Sequence, residues 1–199
     1  STPIEPYLRD PQTFWTMLDY AHAPRWLLSY LPKTPTHAIT DAPPAHGLFP
    51  VVLFATGNMG YRGSNTVQVE ELASRGFVVV TFDQPGTVGT SLLPDGRRIP
   101  YAGSKVVKPL VDASLPEPPD TPTLRGIPYP DGIASYLAAD ASALLDHLLS
   151  APLGLADHVD VSRVGAFGVS LGGITMAQWC ATDTRVSACL ILEAPMPRD

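Results

Sequence analysis

Three strand-length runs constrain this 199-residue chain more than any other feature. Pro50-Val-Val-Leu-Phe-Ala55, Phe77-Val-Val-Val-Thr-Phe82 and Arg163-Val-Gly-Ala-Phe-Gly-Val169 are apolar almost without alternation. A strand with one wet face alternates, whereas an unbroken run suits a strand buried on both faces, as in a parallel sheet. Between the first two runs lie a glycine-rich turn, Gly57 to Gly63, and a helical stretch from about Asn65 to Arg75. Asn65 and Gln68 stand at capping-box spacing, and Gly76 supplies the stop. Strand, helix, strand demands parallel pairing with a right-handed crossover. The alternation returns after Arg163, with a helix from Leu171 to about Ala181 and a further strand at Ala188 to Leu192. The expected class is α/β: an open, mostly parallel sheet with helices on both faces.

Elsewhere the pattern is less regular. Phe14, Trp15, Leu18, Trp26, Leu27, Leu28 and Leu31 fall at spacings of one or two amphipathic helices broken near Pro24. Residues 1–44 thus read as an N-terminal helical, lid-like segment, whose rings either pack on the body or face a substrate. From Gln84 to Pro130, 10 of 47 residues are proline, far beyond an ordinary connection of roughly 4 to 6 residues. This insertion, 84–130, is expected to be irregular. Order resumes with Asp131 as N-cap and an apolar stripe at Ile133, Leu137, Leu144, Leu145, Leu148 and Leu149.

Composition closes off several functions. Thirteen basic against 19 acidic residues, a formal charge of -6 and no block of one sign leave phosphate-backbone binding without an electrostatic basis. No nucleic-acid partner is expected. The apolar runs are far shorter than the roughly 20 residues of a membrane-spanning helix. The chain opens on Ser1 without a charged-then-apolar leader, which reads as a start at a processing boundary. Cys180 and Cys189 are too few for a zinc site. A helix layer stands farther from a sheet than the roughly 7 Å Cα span of a disulfide, so two buried thiols are expected.

The chemistry concentrates at Gly168-Val169-Ser170-Leu171-Gly172, where a strand ends and a helix begins. This is the G-x-S-x-G pattern of a nucleophile elbow, in which a tight turn pushes the serine hydroxyl above the sheet. The bland reading is a chance match in a glycine-containing turn. A serine hydroxyl needs a base, and the Leu171 N–H at the helix start can stabilise an oxyanion. A second donor is expected from Asn58, in the turn Thr56-Gly57-Asn58-Met59-Gly60 that follows the first apolar run; otherwise that turn is only a connection. Glu193 ends the strand after the nucleophile helix, on the same sheet edge as Ser170, with neighbouring strands about 4.8 Å apart. It either orients a histidine or pairs with a neighbour such as Arg198. His22, His37, His46, His147 and His158 all precede Ser170, whereas hydrolases of this pattern place the histidine last. His46 and His158 sit before strands, at the opposite edge.

With the elbow, the oxyanion turn and Glu193 assembled, residues 36–197 resemble the α/β-hydrolase superfamily, specifically serine esterases similar to platelet-activating-factor acetylhydrolase. The resemblance rests on Phe49-Pro-Val-Val-Leu-Phe, Glu71-Leu-Ala-Ser-Arg-Gly-Phe-Val-Val-Val, Pro94-Asp-Gly-Arg, Asp160-Val-Ser-Arg-Val-Gly-Ala-Phe-Gly-Val-Ser-Leu-Gly-Gly and Leu192-Glu-Ala-Pro. The departures are Thr56 where a His-Gly turn is common, Val169 where His or Phe often precedes the serine, and Glu193 where Asp is usual. The resemblance implies that residues 1–199 are part of a single domain. It implies Ser170 as nucleophile, Glu193 as acid, Leu171 and Asn58 as oxyanion donors, and an acyl-enzyme formed without metal or organic cofactor. It also implies strands before residue 1 and strands plus the catalytic histidine after residue 199, so that this chain is an internal piece. A second polypeptide of the same precursor would then carry the histidine.

The function these residues point to is hydrolysis of a short-acyl or phospholipid-like carboxylic ester. Two rivals stand beside it. A polyester or cutin-type hydrolase would place its acid farther downstream than Glu193, and a binding protein on the same fold would have lost its base.

Overall fold

The computed structural model describes residues 4–116, 120–150 and 155–197. In chain order, β1 (Ile4–Pro6) leads through α1 (Pro11–Tyr20) to β2 (Pro35–Ile39), which pairs back on β1 antiparallel. Then come β3 (Phe49–Ala55), α2 (Thr66–Ser74) and β4 (Val78–Phe82). The proline-rich stretch follows, with β5 (Thr90–Leu92), β6 (Arg98–Pro100), α3 (Ser104–Asp112), β7 (Thr123–Leu124) and β8 (Ile127–Pro128). The chain closes through α4 (Ala134–Ser150), β9 (Val159–Val169), α5 (Leu171–Thr182) and β10 (Val186–Leu192).

The main sheet has the order β10-β9-β3-β4, and every pairing in it is parallel. The continuous apolar runs are its strands, and the two central ones are the most deeply buried. Val51, Leu53 and Phe54 of β3 have no measurable exposure, and Phe54 meets Phe167 of β9 ring to ring at 4.8 Å. On one face α4 and α5 cover the sheet: Leu145, Met176 and Trp179 pack on Val51, Leu53 and Ala166. Val80 and Phe82 turn toward that layer. Thr81, one residue out of phase, faces the other way toward α2. Helices therefore flank both faces, as the runs require.

Four expectations are corrected. Residues 84–130 are not irregular throughout. They form the antiparallel hairpin β5–β6 and the helix α3, which accommodates Pro109 and buries Val107 and Leu110. Second, α4 begins at Ala134, beyond Asp131, and the buried Ser114 hydroxyl accepts the N–H groups of Ile133 and Ala134 at 2.9 and 3.0 Å. A residue distant in sequence fills the cap. Third, Asn65 does precede α2, but in a left-handed conformation (φ 60°) with no side-chain cap bond.

Fourth, Cys180 and Cys189 form a disulfide with their Cα atoms 6.6 Å apart. Layer spacing is measured from the helix axis, whereas a Cα on the sheet-facing side is closer by the helix radius of about 2.3 Å. Gly173, two turns before Cys180 on the same helix face, brings α5 closer still. A Cβ there would lie 2.6 Å from Ala194 Cβ and 3.3 Å from Ile191 Cγ2.

Candidate active site

The site forms where three parallel strands end side by side. Ser170 follows β9, Glu193 follows the neighbouring β10, and the turn 56–60 follows β3 on the other side. Parallel pairing carries all three to one edge: Leu192 lies opposite Val169, and Ala55 opposite Gly168.

Ser170 adopts φ 54°, ψ −121°, a conformation costly for any residue with a Cβ. It is held from both sides. Its N–H donates to the Leu192 carbonyl at 2.9 Å, and its carbonyl accepts from the Ile174 N–H at 3.0 Å, the first turn of α5. The helix can start here because Gly172 carries no side chain. A Cβ at Gly172 would stand 2.1 Å from the Ala55 carbonyl oxygen and 2.5 Å from that of Thr56. The consequence is an exposed serine on a buried stalk, for Leu171 to Ala177 are all buried. The N–H of Leu171, the first residue of α5, lies among the terminal donors that have no acceptor within the helix.

Across from the elbow, Gly57 lets the turn after β3 approach closely. Its hypothetical Cβ falls 3.2 Å from Ser170 Cβ and 3.8 Å from Ser170 Oγ. The turn is braced by the Met59 N–H donating to the Thr87 carbonyl at 2.8 Å and the Gly60 N–H to the Gly57 carbonyl at 2.9 Å. The Asn58 side chain points away from these, donating through Nδ2 to the Tyr101 hydroxyl at 3.0 Å. Tyr101 in turn packs at right angles to Tyr20, whose hydroxyl lies 2.6 Å from Ser104 Oγ. Thus α1 and the start of α3 buttress the turn that carries Asn58.

Ser170, Leu171, Asn58 and Glu193 line one cavity of about 150 Å³. Its far side is α3, through Val107, Lys108 and Val111. Glu193 sits at φ 51°, directly past the end of β10. The alternative partner named for it, Arg198, lies outside the described residues. The three α3 residues are the part of the site that sequence reasoning missed. Their signal was present, as an amphipathic spacing through Val107, Leu110 and Val111, but Pro109 interrupts it.

None of the histidines lines this cavity among the described residues. His37 Nδ1 lies 3.5 Å from the Glu70 carboxylate on α2, and His158 Nδ1 lies 3.3 Å from the Gly47 carbonyl, before β9 begins. His46 precedes β3, His147 occupies the last turn of α4, and His22 follows α1.

A larger cavity, about 460 Å³, lies beside the edge strand β4, between α2 and the antiparallel pair β1–β2. It contains Asp83, whose carboxylate accepts from the Arg62 N–H at 2.6 Å and the Arg62 guanidinium at 3.2 Å. Burial pushes the Asp83 carboxyl above its ordinary range against the pull of Arg62, and burial likewise raises the Tyr61 hydroxyl. Volume alone does not identify a site. The smaller cavity has a hydroxyl on a strained turn, a helix N-terminus and a carboxylate converging on it, and the larger one has no such convergence.

No protein-family model and no curated protein matches the chain. Solved structures do. A ferulic acid esterase from Streptomyces cinnamoneus superposes with a TM-score of 0.66 at 25% identity, over 92% of this chain and 45% of that one. A chain described as m3DLH gives a TM-score of 0.50 at 21% identity, over 75% of this chain and 50% of that one. An acetyl xylan esterase from a Thermoanaerobacterium species gives 0.46 at 22% identity, over 74% and 40%. The chain spans less than half the length of the ferulic acid esterase. Together with the parallel sheet and its flanking helices, the first two likenesses show the α/β-hydrolase fold.

Proposed function

We propose that this chain carries the nucleophile, acid and oxyanion donors of a serine carboxylic-ester hydrolase. The observation that carries the reading is Ser170. A hydroxyl is held exposed on a strained strand-to-helix turn, in one cavity with Glu193 and the first N–H of α5. The neighbouring ferulic acid esterase supports the general class.

In this reading Ser170 Oγ attacks the ester carbonyl carbon and passes its proton to a base. The carbonyl oxygen becomes an oxyanion facing the N–H groups of Leu171 and Asn58. Collapse expels the alcohol, which takes the proton from the base, and leaves an acyl-serine. Water then attacks the acyl carbon, its proton moves by the same route, and a carboxylic acid departs. Glu193 orients the base. That base is an imidazole from polypeptide outside residues 1–199, since no histidine among the described residues lines the cavity. The apolar wall of Val107, Val111, Ile174 and Pro195 suits an acyl group, in keeping with esterases similar to platelet-activating-factor acetylhydrolase. The disulfide fits an oxidising compartment.

The test is intact-mass analysis of the purified protein before and after a serine-directed organophosphate, with peptide mapping. The expected result is one adduct on Ser170, absent from Ser170→Ala, together with a co-purifying or contiguous polypeptide that supplies the histidine. No adduct under conditions that label a control esterase would leave the binding-protein reading in its place.

A further inference from the structure

We infer that Lys108 makes this site selective for esters that carry a second, anionic group, a carboxylate or phosphate a few atoms from the scissile carbonyl. The inference rests on the serine-esterase reading and names its substrate class.

The argument begins with what α3 presents. Val107, Lys108 and Val111 share one side of the helix by the geometry of roughly 3.6 residues per turn, and all three line the cavity that holds Ser170. The two valines supply an apolar wall, continued by Ile174 and Pro195. Lys108 lines the same cavity and brings a primary ammonium to this side of α3. Among the described lining residues the only other charged group is Glu193, which the mechanism already commits to orienting the base. The cation that is left has no assigned task inside the cavity.

Its present partner is on the same helix. Lys108 Nζ pairs with Asp112 one turn along, and the lysine side chain is 73% exposed. Such a surface pair is easily exchanged for another anion. A substrate anion entering the cavity would meet the ammonium beside low-dielectric apolar walls, where a charge acts more strongly than in open water. The N-terminus of α5 adds positive potential at the same cavity through Leu171. A neutral ester meets the α5 N-terminus only through its oxyanion and gains nothing from the ammonium.

The test uses the full polypeptide and two matched pairs of esters. One pair places the charge on the alcohol side, 4-acetoxybenzoate against 4-acetoxybenzamide. The other places it on the acyl side, methyl 4-carboxybenzoate against methyl 4-carbamoylbenzoate. The readout is the ratio of kcat/KM within a pair, which cancels the amount of folded enzyme. In at least one pair the anionic member is expected to be favoured by about 10-fold at low salt, falling toward parity at high salt. Lys108→Gln should abolish that ratio and Lys108→Glu should invert it, while Lys108→Arg should keep it. Lys105→Gln, which removes an equal charge from the same helix away from the cavity, should leave it intact. If the neutral esters are turned over but neither pair favours the anion, or if Lys105→Gln lowers the ratio as much as Lys108→Gln, the selectivity assignment is wrong. If no ester is turned over and Ser170 resists the organophosphate, the esterase reading fails first and takes this one with it.

Discussion

At its N-terminal end α5 meets the sheet through bare backbone, with Gly172 against the carbonyls of Ala55 and Thr56 and Ser170 bonded to Leu192. At its C-terminal end the same helix is held through side chains, to the sheet by the Cys180–Cys189 disulfide and to α4 through Asp183. There Asp183 accepts from Ser142 of α4 at 2.8 Å, from Trp179 Nε1 at 3.1 Å and from Arg185 Nε at 2.8 Å, and the disulfide lies beside it. One end is thus held by the absence of side chains and the other by their charge. The difference teaches how the fold separates two tasks along one helix. Polar groups near Ser170 are left for a substrate because the anchoring is done more than about three turns away.

The comparison breaks most severely at Gly172. Adding one methyl by Gly172→Ala puts a carbon 2.1 Å from a backbone oxygen, and neither α5 nor β3 has a flexible side-chain end there to move aside. A loss of more than about 4 kcal/mol is expected, enough to abolish cooperative unfolding in urea. A variant that unfolds within about 0.5 kcal/mol of wild type would show that the elbow is looser than its contacts imply.

The charged end gives a smaller and pH-dependent effect. Asp183 is nearly buried, with a side chain 9% exposed, and the Arg185 guanidinium beside it holds its carboxyl well below the usual carboxylate range. A depressed native pKa means that the folded state releases this proton more readily than the unfolded chain does. The stabilisation is therefore fully present above the unfolded value of about 3.9 and is lost as pH falls below it. Asp183→Asn should cost about 2 kcal/mol at pH 7 by urea titration, and the gap to wild type should narrow steadily below about pH 4. An equal gap at pH 7 and pH 3 would mean that shape, not charge, anchors this end.

These two ends were not equally legible in the sequence. The elbow could be read because its requirements are local: a strand run, a glycine on each side of Ser170 and a helix, all within one short stretch. The strands β3, β4 and the second half of β9 were legible because covered faces leave no polar alternation, whereas the exposed edge strand β10 was legible only from its place after α5. Asp183 carried no such mark, for Ser142 reaches it from α4 only through tertiary packing, and the local partners Trp179 and Arg185 form no recognisable motif. The same holds for Ser114, whose hydroxyl caps α4 from 19 residues upstream of Ile133. The α3 wall of the cavity was hidden by proline. Pro109 signals a break, yet the helix runs through it, because burial of Val107 and Leu110 outweighs one missing N–H bond.

The smallest expected effect runs in the opposite direction and bears on why the serine sits where it does. Ser170 holds a positive φ that glycine adopts freely, so the wild-type residue keeps strain of about 1 to 3 kcal/mol in the folded state. Its neighbours supply the restraint: the Leu192 carbonyl on one side and the first turn of α5 on the other. Ser170→Gly should release most of that strain, offset in part by the greater freedom of glycine in the unfolded chain. The net expectation is a gain of up to about 1 kcal/mol in urea, with complete loss of organophosphate labelling. Stability and labelling moving in opposite directions on one substitution would identify the strain as kept for the hydroxyl alone. A loss of stability instead would mean that Ser170 Oγ makes a structural bond, and the contrast between the two ends of α5 would have to be withdrawn.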